Sequence, residues 1–545
     1  MTGRNLGHRA PLLWLVLPLM GGLAAGKSGE WAPAMGQLVA ASGLAGAALW
    51  AAWHAPRWWA PALATALFLA GSASYSLHRL RLKDWDRLPP REAALYLRVD
   101  RIFAQSNPKK TVGLATIERA DGSLRELIGQ HLYFSLAVRS TEAAPLRSAL
   151  MEVKGVLAPL PREPPNDTFD GYLANAGMNF RLTRGRIVGV EEAATRYNRF
   201  CVRAAERLED ILGRGVIRKR PALVAVLRAM LLGQQHELND EQKQLFRESG
   251  TMHMFSISGL HIAVIATGLQ ALLALLRLPR VGQFLVGLTT LWLYVDITGT
   301  APSAVRAFCM VALLQTSLVL RVPSNPIAAL TASALITLIV APLQLFSASF
   351  QMSYGIVAAL LLLGLPLAEN WQTRWTPFRD LPEATWGWHR RMIVAVWRTG
   401  TSALALGLAS SLVGTVSGIV FFKLFTPGAL LTNLVLIPAA SLVMLGGFLS
   451  LLCGLVGFTA GSVLFNHAAV LLLWGIDRVV RGFLRLPAMW FEARFAKAWL
   501  GPVALAVLLA LVLFGYAQHW ERRRGGFWPP FALVALVVIL GVKFG

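Results

Sequence analysis

Apolar segments of about 20 residues recur along most of this chain, with polar stretches between them. A helix needs about that length to cross a bilayer, so the pattern predicts a polytopic α-helical membrane protein. A signal peptide is a weaker interpretation of the first segment, because two more apolar segments follow at once. About thirteen spans are predicted, at residues 11–26, 34–53, 58–77, 252–276, 282–299, 303–320, 327–345, 348–367, 402–422, 428–456, 460–479, 498–517 and 528–544.

The polar region between the third and fourth segments, residues 78–220, follows a different pattern. Its short segments alternate or favour β residues, and turn signals separate them. Such strands predict a small barrel of the OB type, and a sandwich fragment fits the pattern almost as well. The predicted strands are residues 94–102, 112–118, 131–138, 151–157 and 179–190.

The predicted fold is therefore a polytopic α-helical membrane protein with a small β-rich, OB-like extracytoplasmic domain inserted after three N-terminal spans. Its predicted parts are N-terminal transmembrane helices, the β-rich domain, a helical block and a C-terminal apolar span. They cover residues 1–80, 81–200, 201–515 and 516–545 in that order.

Basic residues orient the predicted spans, because cytoplasmic loops are enriched in Lys and Arg. They favour a cytoplasmic N-terminus, which places residues 78–220 outside and the later arginines inside. Basic residues near 79–87 disagree, but long domains cross largely regardless of charge. Residues 428–456 contain Pro438 and fit either one kinked span or a re-entrant pair. The two choices place the C-terminal loops on opposite sides of the membrane. The orienting residues are Arg4, His8, Arg9, Arg277, Arg280, Arg321, Arg374, Arg379, Arg390, Arg391 and Arg398.

Composition agrees with a membrane protein, since 55% of the residues are apolar and only 15% are charged. The formal net charge is +23, and residues 78–220 hold 26 Lys or Arg against 17 Asp or Glu. A basic surface attracts polyanions, above all nucleic acid. An arginine-heavy proteome or contact with lipid headgroups would also explain the excess. The three cysteines form neither a disulfide framework nor a zinc motif.

Residues 21–28 match the phosphate-loop pattern GxxxxGK(S/T). The mechanism of that loop requires a strand before it and a helix after it, so that backbone amides surround the phosphates. Here the glycines end an apolar span. Small residues that pack two helices together explain the match better.

Polar groups begin the fourth apolar segment, which contains His253, Ser256, Ser258, Gly259 and His261. Hydrocarbon offers such groups no partner, so they usually face a protein interior or a water-filled path. The two histidines are about two turns apart, but no carboxylate or cysteine completes a metal site, and we predict no metal and no cofactor. Ser258 and His261 also resemble a nucleophile with its base, which leaves a membrane hydrolase as a minor alternative.

Further ionisable and polar groups lie in or beside predicted spans. Asp296 and Arg306 flank a short turn, and they are interpreted either as a functional pair or as a local ion pair that pins the hairpin. Gln351 and Asn433 are uncharged candidates for interhelical hydrogen bonds. Residues 386–397 mix aromatic residues with arginines and predict an interfacial helix.

These residues resemble the ComEC competence family. The resemblance extends from about residue 30 to about residue 510, and the order and spacing of its segments make it more specific than any single motif. The segments that carry it are residues 169–177 (FDGYLANAG), 231–238 (LLGQQHEL), 246–250 (FRESG), 253–261 (HMFSISGLH), 298–307 (TGTAPSAVRA), 350–354 (FQMSY) and 427–438.

The resemblance implies a DNA-uptake protein of the inner membrane, with an OB-like outer domain and a helical channel domain that passes single-stranded DNA during natural transformation. Implied partners are single-stranded DNA, the bilayer, and the DNA receptor and cytoplasmic translocation proteins of a competence machinery. Many members also carry a metallo-β-lactamase-like domain, whose histidine-rich motif is absent before Gly545, so nuclease activity is not expected. Candidate residues along the DNA path are His253, Ser256, Ser258, Gly259, His261, Asp296, Ser303, Arg306, Gln351 and Asn433.

A different class of function stays open at this point. A small-molecule or lipid transporter could use the same helical block, and the oligomeric state is not predicted.

Overall fold

The computed structural model describes most of the chain in twelve stretches. Predictions for Arg4, His8, Arg9 and Ser256 lie outside them, as does most of the basic cluster near residues 79–87. The stretches are residues 10–29, 32–55, 57–80, 89–107, 109–120, 122–138, 145–161, 164–165, 168–255, 257–382, 386–520 and 526–545.

Three helices come first: α1 (Leu13–Ser28), α2 (Ala34–His54) and α3 (Trp59–Leu80). Glycines let α1 and α3 approach closely, since a Cβ on Gly22 would lie 1.9 Å from the backbone oxygen of Phe68. The phosphate-loop match at residues 21–28 therefore lies within a helix, and packing by small residues is confirmed as its explanation.

A closed five-stranded barrel follows, built from β1 (Arg91–Phe103), β2 (Lys110–Ala120), β3 (His131–Ala137), β4 (Leu150–Pro159) and β5 (Phe180–Glu192). The strand order is β1-β2-β3-β5-β4, and β1 closes the barrel against β4. Neighbouring strands are antiparallel except β3 and β5. All five predicted strands are confirmed, and closure of the sheet decides for a barrel over a sandwich fragment.

The barrel interior is apolar because alternate residues of each strand point inward. Leu95, Leu97, Ile117 and Phe134 are fully buried in this core. A short helix, α4 (Phe169–Asn175), connects β4 to β5, and the Thr168 side chain accepts a hydrogen bond from Gly171 at its start.

The helical block begins with three helices that are interrupted by short turns: α5 (Arg196–Gly213), α6 (Pro221–Leu232) and α7 (Asp240–Glu248). Apolar helices follow as α8 (Gly259–Leu275), α9 (Arg280–Ile297), α10 (Pro302–Val319), α11 (Pro326–Val340), α12 (Ala348–Ala359) and α13 (Leu365–Trp375). The remaining helices are α14 (Trp388–Ser417), α15 (Ala429–Val456), α16 (Thr459–Leu484), α17 (Leu500–Ala517) and α18 (Trp528–Gly541). Short strands β6 (Leu424–Phe425), β7 (Phe491–Phe495) and β8 (Val542–Phe544) form a small antiparallel sheet.

Nine helical segments of the described chain are long and apolar enough to cross a membrane, fewer than the thirteen predicted. The other predicted spans are helical too, but α1, α11 and α18 have only 14 to 16 residues. At 1.5 Å per residue such helices reach about 21–24 Å, less than the roughly 30 Å of a hydrocarbon core. The fourth predicted span outside the nine is α9, which has 18 residues. It carries Arg280 and Asp296 near its ends, and these charges lower its mean hydropathy.

Two predictions about individual segments are corrected or decided. Residues 429–456 form a single helix around Pro438, which decides against the re-entrant pair. Residues 388–397 are the first turns of the 30-residue helix α14, so the prediction of a separate interfacial helix is wrong. The apolar stretch from residue 402 onward continues the same helix, which passes through Gly400 without a break.

A buried amide connects three helices of the block. Asn466 Nδ2 donates to the backbone oxygens of Ile211 at 2.8 Å and Arg214 at 3.1 Å, and its Oδ1 accepts from Ser450 Oγ at 2.7 Å. These bonds hold the end of α5 against α15 and α16, where hydrocarbon would leave the same groups unsatisfied.

Contacts with the barrel identify one end of the block. Arg147, in the connection between β3 and β4, contacts Asp296 near the end of α9. Asn175 Nδ2 at the end of α4 donates to the backbone oxygen of Phe346 at 3.4 Å. Short turns make α8, α9 and α10 antiparallel neighbours. We call the start of α8, the end of α9, the start of α10 and the turn Pro342–Phe346 the barrel-facing end.

Candidate functional site

Asp296 fastens the barrel to the helical block. Its side chain is only 8% exposed, and one oxygen accepts from Arg147 Nη1 at 2.9 Å. The other accepts from the hydroxyl of Tyr197, in the first turn of α5, at 2.6 Å. Burial, together with this bond to Asp296, raises the pKa of Tyr197, so its hydroxyl stays protonated and donates.

The predicted pair of Asp296 with Arg306 is therefore wrong, both as a functional pair and as a pin of the hairpin. Both oxygens of Asp296 are engaged by the barrel and by α5. Arg306 lies a turn into α10, and its side chain is directed toward the turn before α12 instead. Sequence proximity suggested the pair, but a distant segment supplies the nearer partner.

Arg306 is buried, with 2% of its surface exposed, and neutral groups hold its guanidinium. Nη2 donates to the backbone oxygen of Ser349 at 2.8 Å and to its hydroxyl at 2.6 Å, and Nη1 donates to Gln344 at 3.3 Å. Its Nε has no hydrogen-bond partner, and no ion pair to Arg306 is found among the described residues. A buried charge is normally paired, so this cation contributes a positive field at the barrel-facing end.

Gln351 and Tyr354 complete the surroundings of Arg306. Gln351 Nε2 donates to the backbone oxygen of Leu345 at 3.0 Å, which holds the turn against α12. The ring of Tyr354 lies under the guanidinium at 5.9 Å, and its hydroxyl bonds with Ser333 at 2.9 Å. Gln351 therefore supports the turn that binds Arg306, and this bond is made to the turn before its own helix, not to another long helix as predicted.

Ser258 and His261 form a cap at the start of α8. The backbone N–H of Ser258 donates to His261 Nδ1 at 3.2 Å, and the hydroxyl lies 2.8 Å from the same nitrogen. The His261 ring thus accepts the backbone N–H of the residue that precedes α8, as the side chain at the third helical position of a capping box does. The serine and histidine are in contact, as the sequence suggested. The contact serves the start of α8, where it satisfies a backbone N–H, and does not by itself indicate a hydrolase.

Ser303 and Gly259 connect α8 with α10. Ser303 Oγ donates to the backbone oxygen of Ile257 at 2.5 Å. A Cβ on Gly259 would meet only Ala307, at an ordinary 3.9 Å, so close approach does not require this glycine. The chain does begin a new helix here, directly beside α10.

His253 and Asn433 belong to the edge of the same region. His253 Nδ1 lies 3.2 Å from the backbone oxygen of Gly250, and a Cβ on Gly250 would meet Ala429 at the start of α15. Asn433 shares one face of α15 with Leu436 and Ala440, which pack in the same core as Met254. Its Oδ1 is buried and accepts no hydrogen bond within the described chain.

Within the part of the chain that the structure describes, no three His, Cys, Asp or Glu side chains gather in a way that could hold an ion.

The structure adds residues that sequence reasoning missed. Gln344 and Ser349 bind Arg306, while Arg147 and Tyr197 bind Asp296. Gln344 and Ser349 could have been found from the sequence, since they are polar residues beside an apolar span. No sequence feature indicates Arg147, because its partner Asp296 is 149 residues away along the chain.

The segments that carry the family resemblance meet in space. Tyr294, near the end of α9, donates its hydroxyl to the backbone oxygen of Leu231 at the end of α6. A Cβ on Gly233, which has a φ of +75°, would lie 3.2 Å from Ile257. Together with the bond from Ser303 to Ile257 and the ring of Tyr354 beside the Arg306 guanidinium, these contacts join residues 231–238, 253–261, 298–307 and 350–354.

The net positive charge of residues 78–220 lies mostly outside the barrel. Barrel residues 91–192 hold 14 Lys or Arg against 12 Asp or Glu, whereas residues 193–220 hold 8 against 3. Most of the excess thus lies on α5 and the loop after it. Within the barrel, burial lowers the pKa of the Arg101 guanidinium, and the charge of Arg147 acts in the same direction.

Comparison with known proteins places these features in a family. The family described as "Competence protein" matches residues 230–521, more than half of the chain. The protein named "ComE operon protein 3" of Bacillus subtilis (strain 168) is 29% identical over 142 residues, which are 26% of this chain and 18% of that relative. No solved structure matches the chain significantly. The chain is a multi-pass, largely helical membrane protein with a small β-barrel domain, and it belongs to the competence protein family.

Proposed function

We propose that this protein passes DNA, as a single strand, across the inner membrane during natural transformation. The observation that carries the proposal is the meeting of the family segments at the barrel-facing end, next to the junction with the barrel. Polar and charged groups at this position are costly in a membrane protein and usually mark a substrate path. The competence family supplies the substrate class.

We further propose that the barrel is an extracytoplasmic, OB-like domain. Its five strands and its closure support this, as does the distribution of arginines. Arg277, Arg280 and Arg321 lie at the ends of α8, α9 and α10 away from the barrel. The positive-inside rule favours a cytoplasmic position for that end, which supports a barrel on the outer side.

Arg306 has an indirect role in this proposal. Its guanidinium is buried and bonded to Ser349 and Gln344, so it attracts phosphate through its field and keeps the turn Pro342–Phe346 in place. Asp296 keeps the barrel attached to the helical block through Arg147. DNA receptor and translocation proteins of a competence machinery are the proposed partners.

The test is a deletion of the gene in its host, scored with labelled DNA. Nuclease-resistant, internalised DNA should fall by orders of magnitude, while surface-bound DNA should remain, and expression of the intact chain should restore uptake. Undiminished internalisation would contradict the proposal and favour the small-molecule or lipid transporter. We also propose that the chain moves DNA without cleaving it, so the purified protein should leave DNA intact with magnesium, manganese or zinc.

A further inference from the structure

Helix α5, which joins the barrel to the helical block, presents a stripe of arginines. Arg196, Arg199, Arg203 and Arg207 are three or four residues apart, and all four are exposed. At 3.6 residues per turn they fall within an arc of about 80°. We call these four residues the α5 stripe.

The α5 stripe keeps a net positive charge, although Asp210 falls within its arc and Glu206 lies beside it. None of its four side chains forms an ion pair with any described residue, although Glu206 and Asp210 lie on the same helix; the one contact found is Arg203 Nε with the backbone oxygen of Arg199 at 3.4 Å. Other arginines behave differently: Arg98 and Arg481 each contact two carboxylates. Four adjacent, unpaired guanidinium groups repel one another, so the stripe is complementary to an extended anion.

The opposite face of α5 is already covered by protein. Leu208, Ile211 and Leu212 are buried in one core with residues of α6, α15 and α16. A helix that lies on a membrane surface buries its apolar face in lipid. The apolar face of α5 packs against the helical block and is therefore not available to lipid. Its arginines are better explained by a partner in the aqueous phase.

The position of the stripe favours a strand that travels between the two domains. It begins beside Tyr197, which contacts Asp296 at the junction, and Arg214, Arg218, Lys219 and Arg220 continue the positive charge beyond the end of the helix. Side chains three or four residues apart on a helix are about 5–6 Å apart, a spacing comparable to that of phosphates along a stretched single strand. Arginine also binds phosphate with two parallel hydrogen bonds.

We propose that the α5 stripe binds the phosphate backbone of the incoming strand and guides it from the barrel to the helical block. This inference rests on the proposed function and adds to it the surface that contacts DNA. It places the main DNA contact on helix α5, since the barrel is nearly neutral in charge.

The experiment uses the full chain in nanodiscs of phosphatidylcholine and a fluorescent single-stranded oligonucleotide. A triple variant, Arg199→Gln, Arg203→Gln and Arg207→Gln, is compared with a matched control, Arg277→Gln, Arg280→Gln and Arg321→Gln. The control removes the same charge at the end away from the barrel. A third variant replaces the same three stripe residues by Lys, and size-exclusion profiles verify that every variant is folded.

The stripe variant should bind about tenfold or more weakly, and the slope of log K against log salt should fall by about 2, because each lost phosphate contact in a single strand changes it by about 0.7. The control and the Lys variant should stay within about threefold of wild type. Equal losses in stripe and control would overturn the inference, as would wild-type affinity in the stripe variant. If the stripe variant binds DNA normally but is selectively destabilised in phosphatidylglycerol nanodiscs, the stripe serves lipid headgroups. Failure of the wild-type protein to bind would instead count against the proposed function itself.

Discussion

At the scale of single residues, tertiary contacts decide which polar groups act together. Asp296 and Arg306 are ten residues apart and of opposite charge, yet each has other partners. Arg147 is 44% exposed while Asp296 is 8% exposed, so their ion pair is partly shielded from water. Breaking such a pair costs more than breaking an exposed one, because the buried carboxylate cannot be resolvated when its partner is lost.

A charge swap tests this pairing. Asp296→Arg or Arg147→Asp alone should lower the free energy of unfolding by about 2 kcal/mol, since each leaves a buried charge without its partner. The double variant should recover most of the loss, and Tyr197 can then accept a hydrogen bond instead of donating one. Thermal unfolding of the detergent-solubilised protein measures the effect. The opposite result would be recovery of stability when Asp296→Arg is combined with Arg306→Asp, and no recovery when it is combined with Arg147→Asp. That result would show that Asp296 pairs with Arg306 after all.

At the scale of elements, small residues and helix ends explain features that resemble catalytic motifs. Residues 21–28 match a phosphate loop because glycines are needed where α1 crosses α3. Ser258 and His261 resemble a nucleophile and base because a helix start requires a side chain that accepts backbone N–H bonds. In both cases a short pattern serves the packing or the end of a helix.

Two adjacent glycines of α1 provide a matched pair. Gly22→Ala places a Cβ 1.9 Å from a backbone oxygen of α3, so we expect a loss of about 1–3 kcal/mol from overpacking. Gly21→Ala meets only the Phe68 ring at 3.6 Å and should be neutral or slightly stabilising, because alanine favours helix. The melting temperature and the membrane abundance of the two variants measure this difference in stability. Similar behaviour of the two would contradict the close crossing.

At the scale of the whole molecule, one end of the helical block collects the barrel contacts and the other collects arginines. Arg374 and Arg379 join Arg277, Arg280 and Arg321 there, because α12 starts at the barrel-facing end and continues through residues 360–364 into α13, away from that end. By the positive-inside rule, this agreement between charge and architecture favours the proposed orientation, with the arginine-rich end in the cytoplasm. The agreement is independent of the unassigned loops after residue 426.

Cysteine labelling tests the orientation. In a variant without the three native cysteines, Gly189→Cys on the barrel should react with a membrane-impermeant maleimide in spheroplasts. No atom lies within 4 Å of a Cβ at Gly189, so the substitution should be tolerated. Arg280→Cys, about 27 Å away along α9 from its barrel-facing end, should react only after permeabilisation. The reverse labelling pattern would place the barrel in the cytoplasm.

By itself, the sequence determined the class of protein, the five strands and the family. These depend on local properties: apolar length, period-two alternation and ordered motifs are all visible along the chain. It also indicated Ser258, His261 and Gln351 as polar groups with partners, which they have.

Only the tertiary structure decided the partners of Asp296 and Arg306, the closure of the barrel and the number of segments long enough to span. Arg147 meets Asp296, and Asn466 meets Ile211, across 149 and 255 residues of chain. Periodicity carries no information at that separation, since it describes which face of an element is apolar and not which element covers it. The same limit hid the α5 stripe: its spacing is in the sequence, but its exposure follows from the packing of the opposite face against α6, α15 and α16.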